Sequence, residues 1–173
     1  INKDDEDKIS EAVKDCNVTI KYVDGQQQVL LNDENVTGLI RTEEVGNMAS
    51  ASSVYASVRS KLLDLQRSLA ANNDVIMDGR DIGTVVLPNA NLKLFLTASS
   101  EVRAKRRLKE REDGGTNEQS LEETIKEIEA RDYKDSHREI SPLTQADDAI
   151  LIDTSNLNVE EVTKIVTSLV LER

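Results

Sequence analysis

The sequence contains few of the residues that define several protein classes. Its 173 residues include one cysteine, three tyrosines, one phenylalanine and no tryptophan. A single cysteine, Cys16, excludes an internal disulfide framework and fits a reducing compartment, so we expect the protein to be cytoplasmic. So few aromatic side chains cannot form the row of stacking platforms that proteins binding single-stranded nucleic acid use.

Long apolar runs and excess positive charge are also absent. The longest apolar runs, 84–88, 92–96 and 149–152, are far shorter than the roughly 20 residues of a membrane span, and no signal peptide is visible. Asp and Glu outnumber Lys and Arg by 33 to 22, which gives a net charge of −11. Such a field repels polyanions, so we expect neither nucleic acid nor a membrane as a partner. Any binding of phosphate must be local.

The first half of the chain predicts a small lobe followed by helix. Helical spacing over 6–16 precedes an alternating strand pattern over 17–23. Asp24-Gly25 is a tight-turn signal, and 27–31 is extended again, which indicates an antiparallel hairpin. From Thr42 the pattern is helical. One apolar stripe predicts a packed helix that ends at Asn72-Asn73: Val54, Val58, Leu62, Leu65 and Leu69.

The second half alternates strand and helix patterns. Three apolar segments suit parallel strands: 75–77, 92–96 and 149–152. The helices between and after them cover 101–112, 121–131 and 159–171, and two of these carry capping-box signals, Ser120 with Glu123 and Asn158 with Glu161. This alternation predicts an α/β fold. Gly114-Gly115 interrupts two charged helices and suggests a mobile lid.

Polar residues concentrate directly after the apolar segment 75–77. Residues 78–84 read Asp-Gly-Arg-Asp-Ile-Gly-Thr. Ligands of open α/β sheets bind where strands end, and two carboxylates, an arginine and two glycines can hold a small polar ligand there. A solvated loop with a local Asp–Arg pair explains the same residues equally well.

A second cluster, 101–111, holds six basic residues in a chain that is otherwise acidic. Arg103, Arg106 and Arg107 fall within about one helical turn, a spacing that suits several guanidinium groups gripping a polyphosphate. The alternative is a solvated helix whose cations pair with its own acids, which is the more common meaning of a charge run. Those acids are Glu101, Glu110 and Glu112.

A third cluster lies between 131 and 138. Arg131, Asp135 and Arg138 are spaced four and three residues apart and would share one helical face, where they can bind sugar hydroxyls and phosphate. The alternative is a surface ion pair that contributes about 0.3–0.5 kcal/mol. His137 falls off that face and has no assigned role. Without a second histidine or a further cysteine we expect no metal site.

Several blocks together resemble one family. VIMDGRDIGTVVLPNANLKLFLTASSEVRAKRR, EARDYKDSHREISPLTQADDAILIDTSNLNVEEV, and the earlier 38–45 and 50–59 resemble bacterial cytidylate kinase in order and spacing. The resemblance implies a P-loop NTPase-like, three-layer α/β fold with a parallel sheet, and a small antiparallel CMP-binding insert lobe. Residues 1–41 would be the end of the nucleotide-binding region with that lobe. Residues 42–173 would be the core kinase domain, with a lid at about 103–120.

The resemblance also implies a function, which is phosphoryl transfer from ATP, with Mg²⁺, to CMP or dCMP by a monomer. Ser50, Arg59 and Asp81 match the positions that read cytosine; an Asp acceptor beside an Arg donor complements the cytosine edge and would repel the uracil carbonyl. Phosphate and ribose positions are matched by Arg80, Arg138, Arg131, Asp135 and, more weakly, Arg41. The lid positions, which would stabilise the transferred phosphoryl group, are matched by Arg103, Arg106 and Arg107.

One family motif has no counterpart here. None of the seven glycines is followed by Lys, so the 173 residues contain no G-x-x-x-x-G-K-[ST] motif for the ATP phosphates. We therefore expect the sequence to be incomplete at its N-terminus; if it were the whole molecule, we would expect no kinase turnover and at most weak nucleotide binding. Two alternatives to the kinase remain open. One is a non-catalytic CMP-binding remnant or inactive kinase fragment, and the other is an α/β interaction domain.

Overall fold

The tight turn predicted at Asp24-Gly25 joins two antiparallel strands in a computed structural model of the chain, which describes residues 1–113 and 119–172. β1 (Val18–Val23) and β2 (Gln26–Leu31) pair from Val18↔Leu31 to Val23↔Gln26. Asp24 and Gly25 have φ values of 52° and 76°, the left-handed conformations that a two-residue hairpin turn of this twist needs. A short β3 (Glu34–Asn35), which the sequence does not predict, extends this sheet beside β2.

The hairpin belongs to a first compact unit, residues 1–76. This unit also contains α1 (Glu6–Lys14), α2 (Glu43–Ser52) and α3 (Ala56–Asn72). α1 lies against the start of α3, where the Ser10 and Ser57 hydroxyl oxygens are 2.7 Å apart. Val58 of α3 is buried here.

The predicted apolar stripe is wrong at its first position. The chain leaves helical geometry between α2 and α3, and Val54, which lies in that break, is 53% exposed. The break changes the direction in which side chains project, so a spacing counted across it does not define one face. Leu62 is also exposed, at 43%, so that of the remaining stripe Val58 is buried and only Leu65 and Leu69 are half-buried.

The second compact unit, residues 77–173, contains a parallel pair of strands. β4 (Leu94–Thr97) and β5 (Ile150–Asp153) pair from Leu94↔Ile150 to Thr97↔Asp153, which confirms two of the three predicted parallel strands. Around them are α4 (Ser100–Asp113), α5 (Leu121–His137) and α6 (Val159–Leu171). The contact between α4 and α5 buries Ala104, Thr124 and Ile128.

Both predicted capping boxes are present. The Ser120 hydroxyl accepts from the Glu123 amide at 3.2 Å, and the Glu123 carboxylate accepts from the Ser120 amide at 2.9 Å. The same reciprocal pair forms between Asn158 and Glu161 at the start of α6. Each box satisfies two of the amide donors that a helix start leaves unpaired, so the sequence signal fixes where α5 and α6 begin.

The predicted strand at 75–77 is wrong. Within 1–113 and 119–172 these residues pair with no other strand, and Ile76 is 99% exposed. An apolar run supplies side chains for a strand, but the strand itself needs a hydrogen-bonded neighbour. The ordered structure that follows is instead a π-helical turn, Ile82–Val86, which the sequence does not predict.

The architecture is therefore mixed α/β, with helices around a small parallel pair and a separate antiparallel sheet. The division after residue 41 that the family resemblance implies stays a prediction. The predicted hinge at Gly114-Gly115 lies outside the described residues. No helix in the described part of the chain has the length and apolarity to cross a bilayer.

Candidate functional site

The segment 78–84 is held by the π-helical turn. The Asp81 carbonyl accepts from the Val85 and Val86 amides at 2.9 and 3.2 Å, and Val86 is buried. Gly79 lies so close to this turn that a Cβ there would meet Ile82 Cγ1 at 2.8 Å. π-turns often occur at functional sites, and this one fixes the backbone that carries Arg80 and Asp81.

Arg80 meets the predicted α5 residues through one carboxylate. Its Nε donates to Asp135 Oδ2 at 2.9 Å, and Arg131 Nε lies 4.0 Å from the same oxygen. The Asp135 side chain is 16% exposed, whereas the Arg80 and Arg131 side chains are 46% and 55% exposed. Asp135 therefore contacts both arginines at Nε, and both guanidinium groups remain accessible to solvent. The structure brings these three predicted residues together.

Asp81 and Arg138 form a second, more enclosed pair. Arg138 Nη2 lies 3.9 Å from Asp81 Oδ2, and the two side chains are 15% and 14% exposed. Arg138 Nε donates to the Ser141 carbonyl at 2.6 Å. Its Nη2 is buried and, within the described residues, has no hydrogen-bond acceptor. At 3.9 Å the ion pair is too long to be a hydrogen bond, so Arg138 Nη2 remains an unused donor beside the Asp81 carboxylate.

The three α4 arginines have different surroundings. Arg103 Nη1 and Nη2 donate to both oxygens of Asp132 at 3.0 and 2.6 Å, and its Nε donates to the Ala98 carbonyl at 3.0 Å. Arg106 donates to Thr154 Oγ1 and to the Thr154 and Leu157 carbonyls at 3.1, 2.5 and 3.1 Å. These bonds connect α4 to α5 and to the carboxyl end of β5.

Arg107 is the third predicted lid arginine. It is half-buried, and it has no hydrogen bond or ion pair with another residue of 1–113 or 119–172. It lines a cavity of about 350 Å³, which we call the arginine cavity. The lining residues are Arg80, Arg103, Arg106, Arg107, Glu110, Ile128, Arg131 and Asp132.

The arginine cavity combines two of the predicted clusters with Arg80. Five guanidinium groups and two carboxylates line one space in a chain whose net charge is −11. Its volume lies in the range of small-ligand sites. Guanidinium groups bind phosphate oxygens through paired, charge-assisted hydrogen bonds, so a phosphorylated ligand fits this lining chemically. Asp81 and Arg138 are not in the lining.

Sequence reasoning missed Asp132 and Thr154. Asp132 lies next to the predicted Arg131, but its partner Arg103 is 29 residues away, and Thr154 is 48 residues from Arg106. The adjacent acid in 131–135 is the only signal for Asp132. Nothing in the sequence marks Thr154, whose hydroxyl also donates to the Thr97 carbonyl at 3.0 Å.

The solvated-helix alternative for α4 is partly realised. Lys105 donates to Glu101 at 2.5 Å on the exposed side of the helix, and this hydrogen bond lowers the pKa of Glu101. The pair is exposed and adds little stability. Arg103 and Arg106 pair instead with residues outside α4. Some residues of the charge run therefore form exposed ion pairs, whereas others line the arginine cavity.

Three predicted residues belong to the first unit. Ser50 is exposed near the end of α2, and Arg41 is exposed before it. Arg59 of α3 is half-buried, and its Nη1 donates to the Ser53 carbonyl at 3.1 Å, at the end of α2. This bond brings the Arg59 guanidinium to the break between the two helices, three residues beyond Ser50.

The acidic, histidine and cysteine side chains of the described residues are dispersed. No group of three or more His, Cys, Asp or Glu side chains among them has an arrangement that could hold a metal ion. The carboxylates that line the arginine cavity do not fit a protein-held Mg²⁺ site. Asp132, one of them, is already bonded to Arg103 through both oxygens.

Comparisons with known proteins identify the family of the chain. The family described as cytidylate kinase matches residues 1–172. A cytidylate kinase of Leuconostoc mesenteroides is 51% identical over 158 residues, which are 91% of this chain and 70% of that protein. One of Ligilactobacillus salivarius is 44% identical over all 173 residues and 77% of its own length. One of Streptococcus pneumoniae is 54% identical over 138 residues, or 80% and 61% of the two chains. The chain belongs to the cytidylate kinase family.

Proposed function

We propose that the protein transfers a phosphoryl group from ATP to CMP or dCMP, which gives ADP and CDP or dCDP. The observation that carries this proposal is the arginine cavity, where five guanidinium groups converge in a chain of net charge −11. The overall field repels nucleotides, so only a local concentration of cations can bind them. Phosphoryl transfer needs mainly such positioning and electrostatic stabilisation.

The substrate monophosphate is assigned to Arg80 and Arg138, with Arg41 as a weaker candidate. Arg80 is held by Asp135 through its Nε, which leaves its terminal nitrogens for an anion. Arg138 has an unused Nη2 donor. Arg131 and Asp135 are assigned to the ribose, because they share one face of α5 beside Arg80.

The transferred phosphoryl group is assigned to the α4 arginines, of which Arg107 makes the direct contact. Arg107 lines the arginine cavity and has no partner among the described residues, so binding an anion costs it no existing bond. Arg106 adds positive potential to the same wall while it stays bonded to Thr154, and Arg103 lines that wall in a pair with Asp132. Such fixed charges stabilise a spreading negative charge without reorganising.

The cytosine base is assigned to Ser50, Arg59 and Asp81. A carboxylate accepts from the exocyclic amine of cytosine and repels the carbonyl that uracil has in its place, and an arginine donates to the ring nitrogen and carbonyl. The Asp81 side chain is only 14% exposed, so its charge is less screened by water than that of a surface carboxylate. These three residues would give selectivity for CMP over UMP.

Titration of Asp81→Asn with CMP and with UMP tests this function. The amide keeps an acceptor and adds a donor that suits uracil, so the preference for CMP should fall about tenfold, within the ~1–3 kcal/mol typical of one base contact. Asp74→Asn, at an exposed position, is the matched control and should keep the wild-type preference. An unchanged preference in Asp81→Asn would reject the base-reading role. A wild type that binds neither nucleotide better would favour the interaction domain.

The remaining features follow the family resemblance. We propose that Mg²⁺ enters with ATP as part of that substrate, because the described residues offer it no site of their own. The proposed fold is the P-loop NTPase-like, three-layer parallel sheet with the antiparallel CMP-binding lobe and a lid at about 103–120. The single cysteine supports a cytoplasmic location, and the net charge of −11 argues against a nucleic-acid partner. The monomeric state is tested by light scattering.

A further inference from the structure

Ser141 has an unusual backbone conformation. Four described residues other than glycine have positive φ: Asp24, Asn32, Asp33 and Ser141. The first three follow β1 or β2 in the antiparallel lobe and are Asp or Asn, the types that visit this region most easily. Ser141, with φ of 51°, is neither, and it lies in the segment after α5. Its conformation therefore needs an explanation from its surroundings.

The proline that follows Ser141 makes this backbone conformation less favourable. Ser141 precedes Pro142, and a following proline further restricts the backbone of the residue before it. A serine side chain at positive φ brings its Cβ close to the backbone, a cost that glycine does not have. Such strain persists only where other contacts hold the residue in place, and it concentrates at functional sites.

The contacts around Ser141 orient Arg138. The Ser141 carbonyl accepts from Arg138 Nε at 2.6 Å, and the Leu143 amide donates to the Asp135 carbonyl at 2.7 Å. The two bonds fold the segment after α5 back onto the last turn of that helix. With Nε fixed, Arg138 Nη2 lies 3.9 Å from Asp81 Oδ2 and is buried without an acceptor among the described residues.

We propose that Ser141 is a positioning residue for Arg138. Its left-handed backbone directs the carbonyl to Arg138 Nε, and this bond keeps Nη2 as a preorganised donor for the phosphate of a bound nucleoside monophosphate. A buried donor without an acceptor is costly, and a phosphate oxygen would satisfy it with a charge-assisted bond. This role rests on the proposed function, in which Arg138 binds that phosphate.

The test compares Ser141→Gly with Ser141→Val by titration with CMP and with cytidine, which lacks the phosphate. Glycine adopts positive φ freely, so Ser141→Gly should keep CMP affinity within about twofold. A β-branched residue disfavours this conformation, so Ser141→Val should weaken CMP binding about tenfold. Cytidine affinity should not change in either variant. If Ser141→Val does not fold, Ser141→Thr, which keeps the hydroxyl and adds β-branching, takes its place and should lose CMP affinity in the same direction.

A double-mutant cycle separates positioning from general structure. In an Arg138→Ala background Ser141→Val should cause no further loss of CMP affinity, because the group that Ser141 orients is gone. A full tenfold loss in that background, or an equal loss for cytidine, would overturn the positioning role alone. An Arg138→Ala variant with wild-type CMP affinity would overturn the phosphate role of Arg138 and, with it, the role of Ser141.

Discussion

Arg106 and Arg107 are adjacent on α4, yet the regions around their side chains differ. Arg106 donates to Thr154 Oγ1 and to two carbonyls in the turn after β5, whereas Arg107 faces the arginine cavity without a partner among the described residues. A guanidinium group whose donors are already bonded contributes to folding, because those acceptors need it. One with unused donors keeps its capacity for a ligand. Of these two adjacent arginines, Arg106 thus stabilises the fold and Arg107 is available to bind a ligand.

Arg103 lies between these two extremes. It lines the arginine cavity, but both terminal nitrogens are bonded to Asp132. Two explanations of the carboxylate are possible in physical terms. It can hold the guanidinium ready for an anion, or it can occupy the place of the anion until the anion arrives. The two explanations predict opposite effects of Asp132 on phosphate affinity. An orienting carboxylate raises the affinity of the cavity for phosphate, whereas a competing carboxylate lowers it.

The largest effect is expected from Arg106→Ala. It removes donors from Thr154 and from the Leu157 carbonyl, so the free energy of unfolding should fall by about 2–3 kcal/mol, the range for a few hydrogen bonds to a partly exposed charged group. Urea denaturation measures this loss. Arg107→Ala is the matched control and should change stability by less than about 0.5 kcal/mol, as is usual for residues without such bonds. Equal losses in the two variants would contradict the division between them.

Arg107→Ala should have its effect on binding instead. One charge-assisted bond contributes about 2 kcal/mol, so the affinity for inorganic tripolyphosphate should fall about 30-fold. Calorimetric titration at low salt measures this affinity. Lys109→Ala removes the same charge from an exposed position on the same helix and serves as control. If Lys109→Ala weakens binding equally, the attraction is a general charge effect and Arg107 makes no specific contact.

Asp132→Asn decides between the two explanations for Arg103. We expect the carboxylate to compete with phosphate, so its removal should raise tripolyphosphate affinity about fivefold, on the order of 1 kcal/mol for a charge at this distance in a partly screened site. Stability should fall, because Arg103 loses an ionised partner. Glu129→Gln makes the same change on α5 outside the cavity lining and should leave affinity unchanged. A weaker affinity in Asp132→Asn would show that Asp132 positions Arg103 for the ligand.

The sequence predicts what depends on neighbours in the chain. The Asp24-Gly25 turn, the capping boxes, and the meeting of Arg131 with Asp135 all rest on spacings of four residues or fewer. At these distances the helical or turn geometry alone determines which groups meet. The three arginines of α4 could be singled out for the same reason, since they stand out against the acidic composition.

The partners of those arginines could not be predicted. Asp132 and Thr154 reach α4 from 29 and 48 residues away, and only the packing of α4 against α5 and β5 selects them. The same limit explains the error at 75–77, where an apolar pattern was present but a strand neighbour was not. The positive φ of Ser141 has no local signal either, because serine before proline usually adopts extended backbone.

The smallest predicted effect lies at the start of α5, where the sequence alone predicts the capping box. Hydrogen bonds from the Ser120 amide and hydroxyl lower the pKa of Glu123 from its ordinary value. A lowered pKa in the folded state contributes stability above the unfolded value, and that contribution is lost as the pH falls through the folded value. Glu123→Gln should therefore lower the melting temperature slightly at pH 7, and this difference should disappear as the pH falls through the pKa of Glu123 in the folded state. Glu122→Gln, also in the first turn, is the control. If it shows the same pH dependence, the effect comes from first-turn charge rather than from the capping box.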